Sequence, residues 1–459
     1  MSSLEEVNEK EQSVLAAEAE KSRNKPWPSA KAGWYTVFVL SLTLLVNFLD
    51  RGILTLLVPQ IKADLQLSDT QMGIIMGFAF VFFYMMAGLP IARYADKGNR
   101  RNLIAVGLAL WGGATALCGL AKGFGSLFLF RIGVGVGEAC TGPATYSSLG
   151  DYFPPNKLPR AISVLNLGNL IGSGLAMLIG GSIIGLLSTL PPVTLPFYGE
   201  LKTWQLSLIL VGIPGLFVAL LMLTVKEPER RVTGDAPSLK QVFAFLSEQR
   251  WLYGPLILGI ALNTIAYVGN SSWSVVFFVR TYGWSVEQIA LYMGLLMLVV
   301  MPIGTLVGSF LSERMTKAGY IDANMRLVLI VLAISIPLNV AFPLMPTGEM
   351  AIALSGMTMF LGAVIIGPQN AAIQIVTPNR MRGQITAAVL FGFNVIGYGL
   401  GPVILALVTD YVFQDEMQIR YALSSTYVVI GPLALFVLWF SLKPYRKAME
   451  LIKSEESGK

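Results

Sequence analysis

The chain has 459 residues, of which 54% are hydrophobic and only 13% are charged, about half the charged fraction of a soluble domain. It contains no histidine, which excludes a histidine-dependent catalytic triad, a histidine-ligated metal and an imidazole proton relay. Cys118 and Cys140 both lie in apolar stretches and form neither a disulfide framework nor a cysteine-only zinc site. The composition therefore indicates a membrane protein without a metal or cofactor, in which the net charge of +6 concerns topology rather than nucleic-acid binding.

Residues 1–33 are polar and lack the features of a signal peptide, so they are expected to form a tail. Twelve apolar segments follow, each long enough to cross a bilayer as a helix. None of them alternates with a period of two, which favours a helical bundle over a transmembrane barrel. The segments are 34–57, 70–92, 102–121, 126–149, 160–186, 204–225, 254–279, 286–311, 326–345, 349–376, 383–410 and 421–442.

The distribution of basic residues predicts the orientation of these segments. The two tails and the even-numbered loops hold 26 of the 33 lysines and arginines, whereas the odd-numbered loops hold five. Because basic residues concentrate on the cytoplasmic side, both tails, 1–33 and 443–459, are expected to be cytoplasmic. The sequence thus predicts an all-α membrane protein with a six-helix N-terminal bundle (34–225), a cytoplasmic linker (226–253) and a six-helix C-terminal bundle (254–442).

An internal repeat relates the two bundles. A shift of 223 residues superposes Pro155–Leu158 on Pro378–Met381. Because the repeat spans six segments, an even number, the halves have the same orientation and are related by an axis along the membrane normal. A chance resemblance between short loops is the alternative. A shift of 217 residues superposes Ser68, Gln71, Gly77, Asp96 and Lys97 on Ser285, Gln288, Gly294, Glu313 and Arg314.

Four charged residues lie well inside apolar segments: Asp50 and Arg51 in the first, and Arg131 and Glu138 in the fourth. Charges are costly in lipid, so we expect each to face a cavity or a partner, and the surrounding polar pattern favours a cavity. The two segments run in opposite directions, which places Asp50 and Arg131 at a similar depth, where they can pair.

Uncharged polar side chains recur at helical spacing on several segments and are predicted to line the same cavity. Its N-terminal wall would carry fixed charge and its C-terminal wall amides and hydroxyls, which suits an amphipathic substrate with a polar or anionic head. Hydrogen bonding between helices is the alternative role of these amides. Besides Arg51 and Arg131, the predicted substrate-binding residues are Asn47, Asn166, Asn169, Asn263, Tyr267, Asn270, Gln369, Asn370 and Asn394.

The basic loop after the second segment, within Gly88–Arg101, resembles the cytoplasmic loop signature of the major facilitator superfamily, although Ala92 and Asn99 stand where that signature has glycines. The second half contains a degenerate copy. A carboxylate at such a helix end can bind a neighbouring helix N-terminus and an arginine, a contact that must break when the halves move. Setting the topology alone is the other possible role. The predicted conformational latch comprises Asp96, Lys97, Arg100, Arg101, Glu313 and Arg314.

Further runs resemble the spinster-like branch of this superfamily. They are Asn47–Arg51, Arg131 with Gly135, Gly137–Ala139 and Gly150–Pro154. The resemblance covers residues 34–442 and implies a proton-coupled secondary carrier, with animal relatives that move sphingosine-1-phosphate or lysophospholipids. Because the chain has no histidine, such a carrier leaves Asp50 and Glu138 as the predicted proton carriers, and Arg51 and Arg131 are predicted to bind an anionic head group.

The expected function is therefore alternating-access transport of an amphipathic, lipid-like substrate coupled to protons. The expected setting is a monomer surrounded by membrane lipids, in a bacterial inner membrane, with no nucleic-acid partner. A carrier of a sugar, an organic acid or a drug is the alternative within the same fold. A membrane-embedded lipid enzyme would need a nucleophile, a base or a metal clustered at one depth, and a passive channel or scaffold would show no proton dependence.

Overall fold

The computed structural model describes residues 26–191, 193–196, 199–231, 239–378 and 381–457. In these ranges twelve helices are long and apolar enough to cross a membrane, which confirms the predicted fold class. They are α1 (Ala30–Leu65), α2 (Asp69–Ala95), α3 (Arg100–Cys118), α4 (Phe124–Tyr152), α5 (Leu158–Thr189), α6 (Thr203–Leu223), α7 (Arg250–Tyr282), α8 (Val286–Lys317), α9 (Ala323–Leu344), α10 (Gly348–Ile375), α11 (Gln384–Phe413) and α12 (Glu416–Ser454).

Two smaller elements complete the described chain. A hairpin of strands β1 (Val193–Leu195) and β2 (Gly199–Leu201) joins α5 to α6, with Val193 paired to Leu201. A linker helix, Leu239–Glu248, precedes α7. Its Val242 is buried and belongs to the hydrophobic core of the second half, so the linker helix is packed onto that half.

Several helices extend beyond the apolar segments. α7 begins at Arg250, inside the predicted linker, and the last helix continues to Ser457, inside the predicted C-terminal tail. These extensions carry Tyr253 and Tyr445, which are almost fully buried in the core of the second half. Hydropathy identifies the lipid-facing part of a helix, but it misses an amphipathic continuation that packs on protein.

The repeated serines start equivalent helices in the two halves. The Ser68 hydroxyl accepts a hydrogen bond from the backbone N–H of Gln71 at 3.1 Å, and Ser285 accepts one from Gln288 at 3.2 Å. In α2 the Gln71 side chain also accepts the Ser68 N–H, which completes a capping box. The sequence repeat therefore reflects a repeated helix start.

The halves α1–α6 and α7–α12 meet near one side of the molecule. We call the side on which α1 begins and the linker lies the linker face, and the other side the opposite face. A Cβ on Gly77 of α2 would lie 2.6 Å from the Gly399 carbonyl oxygen of α11, and one on Gly181 of α5 would lie 2.4 Å from the Cβ of Ala290 of α8. Both contacts join the two halves, and both lie toward the opposite face.

Closer to the linker face the same helices separate. A Cβ on Gly88 of α2 or on Gly168 of α5 would meet nothing within 4 Å. The hydrophobic cores follow this division, because Trp273 and Phe277 of α7 share a core with the first half, whereas Tyr253 of α7 belongs to a second core within the second half. The space between the halves therefore opens toward the linker face.

Candidate functional site

Asp50 and Arg131 form a buried ion pair between α1 and α4. Arg131 Nη1 lies 3.2 Å from Asp50 Oδ2, and the hydroxyl of Thr115 of α3 donates a hydrogen bond to Asp50 Oδ1 at 2.5 Å. Asp50 is 1% exposed and Arg131 is 3% exposed. The pairing expected from the antiparallel directions of the two helices is confirmed.

Arg51 and Glu138 form a second ion pair between the same helices, with Arg51 Nη2 donating to Glu138 Oε1. Glu138 is 4% exposed, whereas the Arg51 side chain is 38% exposed. Tyr84 of α2 and Tyr398 of α11 lie near the Arg51 guanidinium. Because Tyr398 belongs to the other half, Arg51 lies where the two halves face each other.

The expectation that all four charges face a cavity is corrected by this geometry, because only Arg51 is substantially exposed. Close packing of α3 on α4 encloses the other three. A Cβ on Gly137 of α4 would lie 2.6 Å from the backbone nitrogen of Trp111 of α3. A buried ion pair keeps both of its charges away from lipid, and so does a charged wall that faces a cavity. The positions of the charges in the sequence are therefore compatible with either arrangement.

The pairing leaves some polar atoms without partners. Within the described residues, Glu138 Oε2, Arg51 Nε and Arg131 Nε are buried and have no hydrogen-bond partner. A buried polar group without a partner is costly, and such groups are found where a protein binds or moves something.

The predicted uncharged polar residues differ in exposure. Asn166 and Asn370 are exposed, and the Tyr146 hydroxyl donates a hydrogen bond to Asn166 at 3.4 Å. Asn270 is 6% exposed, and neither polar atom of its amide has a hydrogen-bond partner within the described chain. The Asn169 side chain lies outside the described residues. The half-buried members are Asn47, Asn263, Tyr267, Gln369 and Asn394.

A group of tyrosines in the second half was only partly identified from the sequence. Tyr267 of α7 lies near Tyr398 of α11 and near Tyr427 of α12. These hydroxyls belong to the uncharged half, opposite the ion pairs of α1 and α4. Tyr427 lies in an apolar segment with Ser424 three residues before it, and this single polar neighbour at helical spacing is too weak a pattern to predict a site.

In the first half, the predicted latch residue Arg100 is 1% exposed and makes several contacts. Its Nη1 lies 2.5 Å from Asp151 Oδ2 at the end of α4, and its Nε lies 2.8 Å from Glu227 Oε1 at the start of the linker. The backbone N–H of Arg101 donates to Glu227 Oε2 at 2.8 Å. Arg100 thus connects α3, α4 and the linker.

In the second half, Glu313 pairs with Lys317 of its own helix at 2.5 Å, and Arg314 is exposed. The side chains of Asp96 and Lys97 lie outside the described residues. The latch role of these residues stays a prediction.

Sequence reasoning missed a cluster that joins the two halves at the opposite face, Lys62, Asp69, Arg280 and Glu416, which we call the opposite-face clasp. Arg280 donates to both Asp69 oxygens at 2.7 and 2.8 Å and to Glu416 Oε2 at 3.0 Å. Lys62 Nζ lies 3.0 Å from Asp69 Oδ1 and also pairs with Glu416. Asp69 is fully buried and Lys62 nearly so, whereas the Glu416 side chain is 53% exposed, so the clasp has a buried centre and a solvated edge.

A second contact lies beside the clasp. The backbone N–H and the hydroxyl of Thr70 both donate to Asp410 Oδ2 of α11, each at 2.7 Å. A signal for the clasp was present in the sequence, because Lys62 and Arg280 are two of the five basic residues in the odd-numbered loops. Basic residues that interrupt such a strong charge bias need a local reason, and their carboxylate partners supply it.

Comparison with known proteins agrees with this architecture. Residues 40–402 match the Major Facilitator Superfamily. The fold superposes with a TM-score of 0.76 on a bacterial homologue of the human lysosomal transporter spinster in an inward-facing and unoccupied conformation, at 26% identity, over 92% of this chain and 98% of that one.

Curated relatives include bacterial transporters. The chain is 26% identical to an MFS-type efflux pump of Mycolicibacterium smegmatis over 84% of this chain and 86% of the relative. It is 25% identical to the hexuronate transporter of Bacillus subtilis over 87% and 92%. With the family matched over most of its length and twelve spanning helices in two similar halves, the chain belongs to the major facilitator superfamily and is a multi-pass membrane transporter that resembles the spinster proteins, not an enzyme.

Proposed function

We propose that the protein is a proton-coupled secondary active transporter that carries an amphipathic, anionic, lipid-like substrate by alternating access, such as a lysophospholipid or a sphingosine-phosphate-like molecule. The ion pair of Arg51 with Glu138 is the observation that carries this proposal. Its cation reaches the space between the halves, while its carboxylate is buried. The pair thus combines a group that can bind an anionic head with a group that can take up a proton.

The distribution of basic residues indicates which face of the protein is cytoplasmic. Because the basic residues concentrate at the linker face, that face is taken as cytoplasmic. The described state is then open to the cytoplasm and held closed on the outer side by the opposite-face clasp. The similarity to a spinster homologue in an inward-facing conformation supports the same assignment.

In this mechanism proton binding is coupled to substrate binding because the head group and the Glu138 carboxylate compete for the Arg51 guanidinium. An anionic head group and the Glu138 carboxylate both attract Arg51, so neutralising Glu138 with a proton frees Arg51 to bind the head group. Proton binding and substrate binding therefore favour each other, as linkage requires for two events that share one partner. Asp50 forms the equivalent pair with Arg131 deeper in the protein and is the second candidate for the proton.

Transport into proteoliposomes under an imposed pH gradient tests this mechanism. We expect Asp50→Asn or Glu138→Gln to lower gradient-driven uptake of a labelled lysophospholipid to about a tenth or less, the scale of one lost charge-assisted interaction. Glu200→Gln, which changes an exposed carboxylate in β2, is the matched control and should transport normally. Full proton-dependent uptake by both variants would show that the mechanism is wrong.

A sugar-acid carrier is the second candidate, and the observation that favours it is the similarity to the hexuronate transporter along nearly the whole chain. A hexuronate carboxylate could also bind Arg51. Competition binding to the purified protein, with lysophosphatidic acid, monoacylglycerol and glucuronate as competitors, separates the two candidates. Displacement by the lysolipid but not by glucuronate supports the lipid-like substrate, and the reverse result supports the sugar acid.

The head-group role of Arg51 is tested in the same assay. Arg51→Gln removes a charge-assisted hydrogen bond and should weaken binding of the anionic competitor by about 10- to 100-fold, with little effect on a neutral one. Arg93→Gln changes an exposed arginine of α2 and serves as the control. Equal loss of anionic and neutral ligands would indicate a structural defect and would remove Arg51 from this role.

A further inference from the structure

The ring of Phe80 of α2 lies against both arginines of the site. The guanidinium carbon of Arg51 is 4.7 Å from the ring centroid, and that of Arg131 is 5.3 Å from it. Phe80 is 4% exposed and Arg131 is 3% exposed, so the contact with Arg131 is shielded from water, whereas the Arg51 side chain is 38% exposed. At these distances an aromatic face attracts a cation through its quadrupole, and most strongly where water is excluded.

Each of these arginines has one carboxylate partner and one buried Nε without a hydrogen-bond partner among the described residues. The ring therefore supplies a second source of attraction for two incompletely paired cations. It also lies between the two ion pairs, one with Glu138 and the other with Asp50.

Other polar groups face this cluster from the neighbouring helices. Tyr84 of α2 stacks on Phe80 with centroids 5.8 Å apart, Thr115 of α3 donates to Asp50, and Cys118 of α3 lies near both Asp50 and Arg131. Tyr398 approaches Arg51 from α11. None of these groups is a cation, so the ring and the carboxylates are what balance the two arginines.

We propose that Phe80 is a positioning residue for proton coupling, whose ring holds Arg51 and Arg131 in place when a proton neutralises Glu138 or Asp50. This inference rests on the proposed proton coupling and deepens it. Protonation leaves an arginine without its ion partner inside the protein, a state that is otherwise costly. The ring stabilises that state, so it lowers the cost of proton uptake and keeps the guanidinium aimed at the substrate.

The pH dependence of transport tests this role. Replacing the ring in Phe80→Leu should move the midpoint of the pH dependence to lower pH by about half a unit to one and a half units, the range between an exposed and a desolvated cation–π contact. Phe80→Tyr and Phe80→Trp keep an aromatic face and should retain the midpoint. Phe82→Leu makes the same change on the same helix, where the ring stacks on Phe78 instead of on an arginine, and should also leave the midpoint unchanged.

Fluorinated phenylalanines at position 80 keep the shape of the ring and weaken its quadrupole, so they test the electrostatic effect even if the leucine variant folds poorly. We expect the midpoint to fall stepwise with the number of fluorines. The close approach of α2 to α4 at Gly135 involves the Phe80 carbonyl oxygen, which these substitutions leave in place.

The two proposals fail in different ways. If Phe80→Leu and the fluorinated variants keep the wild-type midpoint of the pH dependence, Phe80 does not have the proposed role, and proton coupling is unaffected. A wild-type profile that does not depend on pH would overturn the proposed function itself, and with it this inference.

Discussion

Burial decides what each charged side chain of the site can do. Asp50 and Arg131 pair with each other and are closed off by Thr115 and the packing of α3 on α4. The Arg51 side chain is 38% exposed, whereas Arg131 is 3% exposed. In the described conformation it is therefore Arg51 that is available to a ligand, and the predicted head-group role of Arg131 requires the halves to move.

Asp322, between α8 and α9, offers a pH-dependent test of stability at the residue scale. Burial raises the pKa of its carboxyl, but hydrogen bonds from Arg446 at 2.5 Å and Arg326 at 3.1 Å outweigh this effect and hold the pKa below its usual range. A carboxylate with a depressed folded-state pKa stabilises the protein fully above its unfolded-state value, near pH 4, and loses that contribution as the pH falls through the lower folded-state pKa.

We therefore expect Asp322→Asn to lower the thermal unfolding midpoint of the detergent-solubilised protein at pH 7. The difference from the wild type should shrink as the pH is lowered below about 4. Glu450→Gln, an exposed acid of the α12 extension, is the control and should match the wild type. Equal midpoints for Asp322→Asn and the wild type at pH 7 would refute a stabilising role for this carboxylate.

Helix irregularities coincide with the contacts between the halves. α2 is interrupted at Gly77, which separates Asp69–Met76 from Phe78–Lys97. α11 contains a π-helical turn at Asn394–Tyr398, directly before Gly399, whose carbonyl oxygen faces Gly77. Irregular turns of this kind are common at functional sites. Here they allow α2 and α11, which belong to different halves, to approach until their backbones are in contact.

The opposite-face clasp makes a prediction at the element scale. Arg280→Ala leaves the buried Asp69 with Lys62 as its remaining cation in the clasp, which costs about 1.5 to 3 kcal/mol in the closed state. The ratio of open to closed molecules at this face should then rise by roughly tenfold or more. Spin labels at the exposed positions Ala63 and Val412 should show a new population at longer distance by double electron–electron resonance.

The matched control is Arg250→Ala, which removes an exposed arginine at the other end of the same helix and should leave the distances unchanged. An unaltered distance distribution in Arg280→Ala would mean that packing of the helices, and not the clasp, keeps the opposite face closed.

At the scale of the whole molecule, the two halves are joined near one face and separated near the other. The contacts of α2 with α11 and of α5 with α8 occupy pseudo-equivalent places, and the repeated glycines Gly77 and Gly294 both lie in them. Small residues allow close helix approach in membranes. Rocking of the halves about these contacts is the movement that the proposed alternating access requires.

Gly77→Ala tests this geometry. Its Cβ would lie 2.6 Å from a backbone oxygen of Gly399, and a backbone atom cannot move aside as a flexible side chain can. We expect the variant to favour separation at the opposite face, measured with the same spin-label pair, and to transport more slowly. The control is Gly113→Ala in α3, where a Cβ meets nothing within 4 Å, and this variant should behave like the wild type. If Gly77→Ala shows the same spin-label distances as the wild type, the contact between α2 and α11 does not have this role.

The sequence by itself determined the spanning segments, the two related halves and the four charges of α1 and α4. Lipid imposes these features locally, since a span needs about 20 apolar residues and a charge within one stands out. The sequence also predicted that Asp50 pairs with Arg131, because the opposite directions of α1 and α4 place these two residues at a similar depth in the membrane.

Only the tertiary structure decided which charges are buried, which arginine is exposed, and where the halves touch. The clasp shows the reason, since Arg280 and Asp69 are 211 residues apart and each lies at the end of an apolar segment. Such side chains become partners only when helices from different halves pack together. The charge bias marks Lys62 and Arg280 as exceptions, but hydropathy, periodicity and charge counts do not identify their partners.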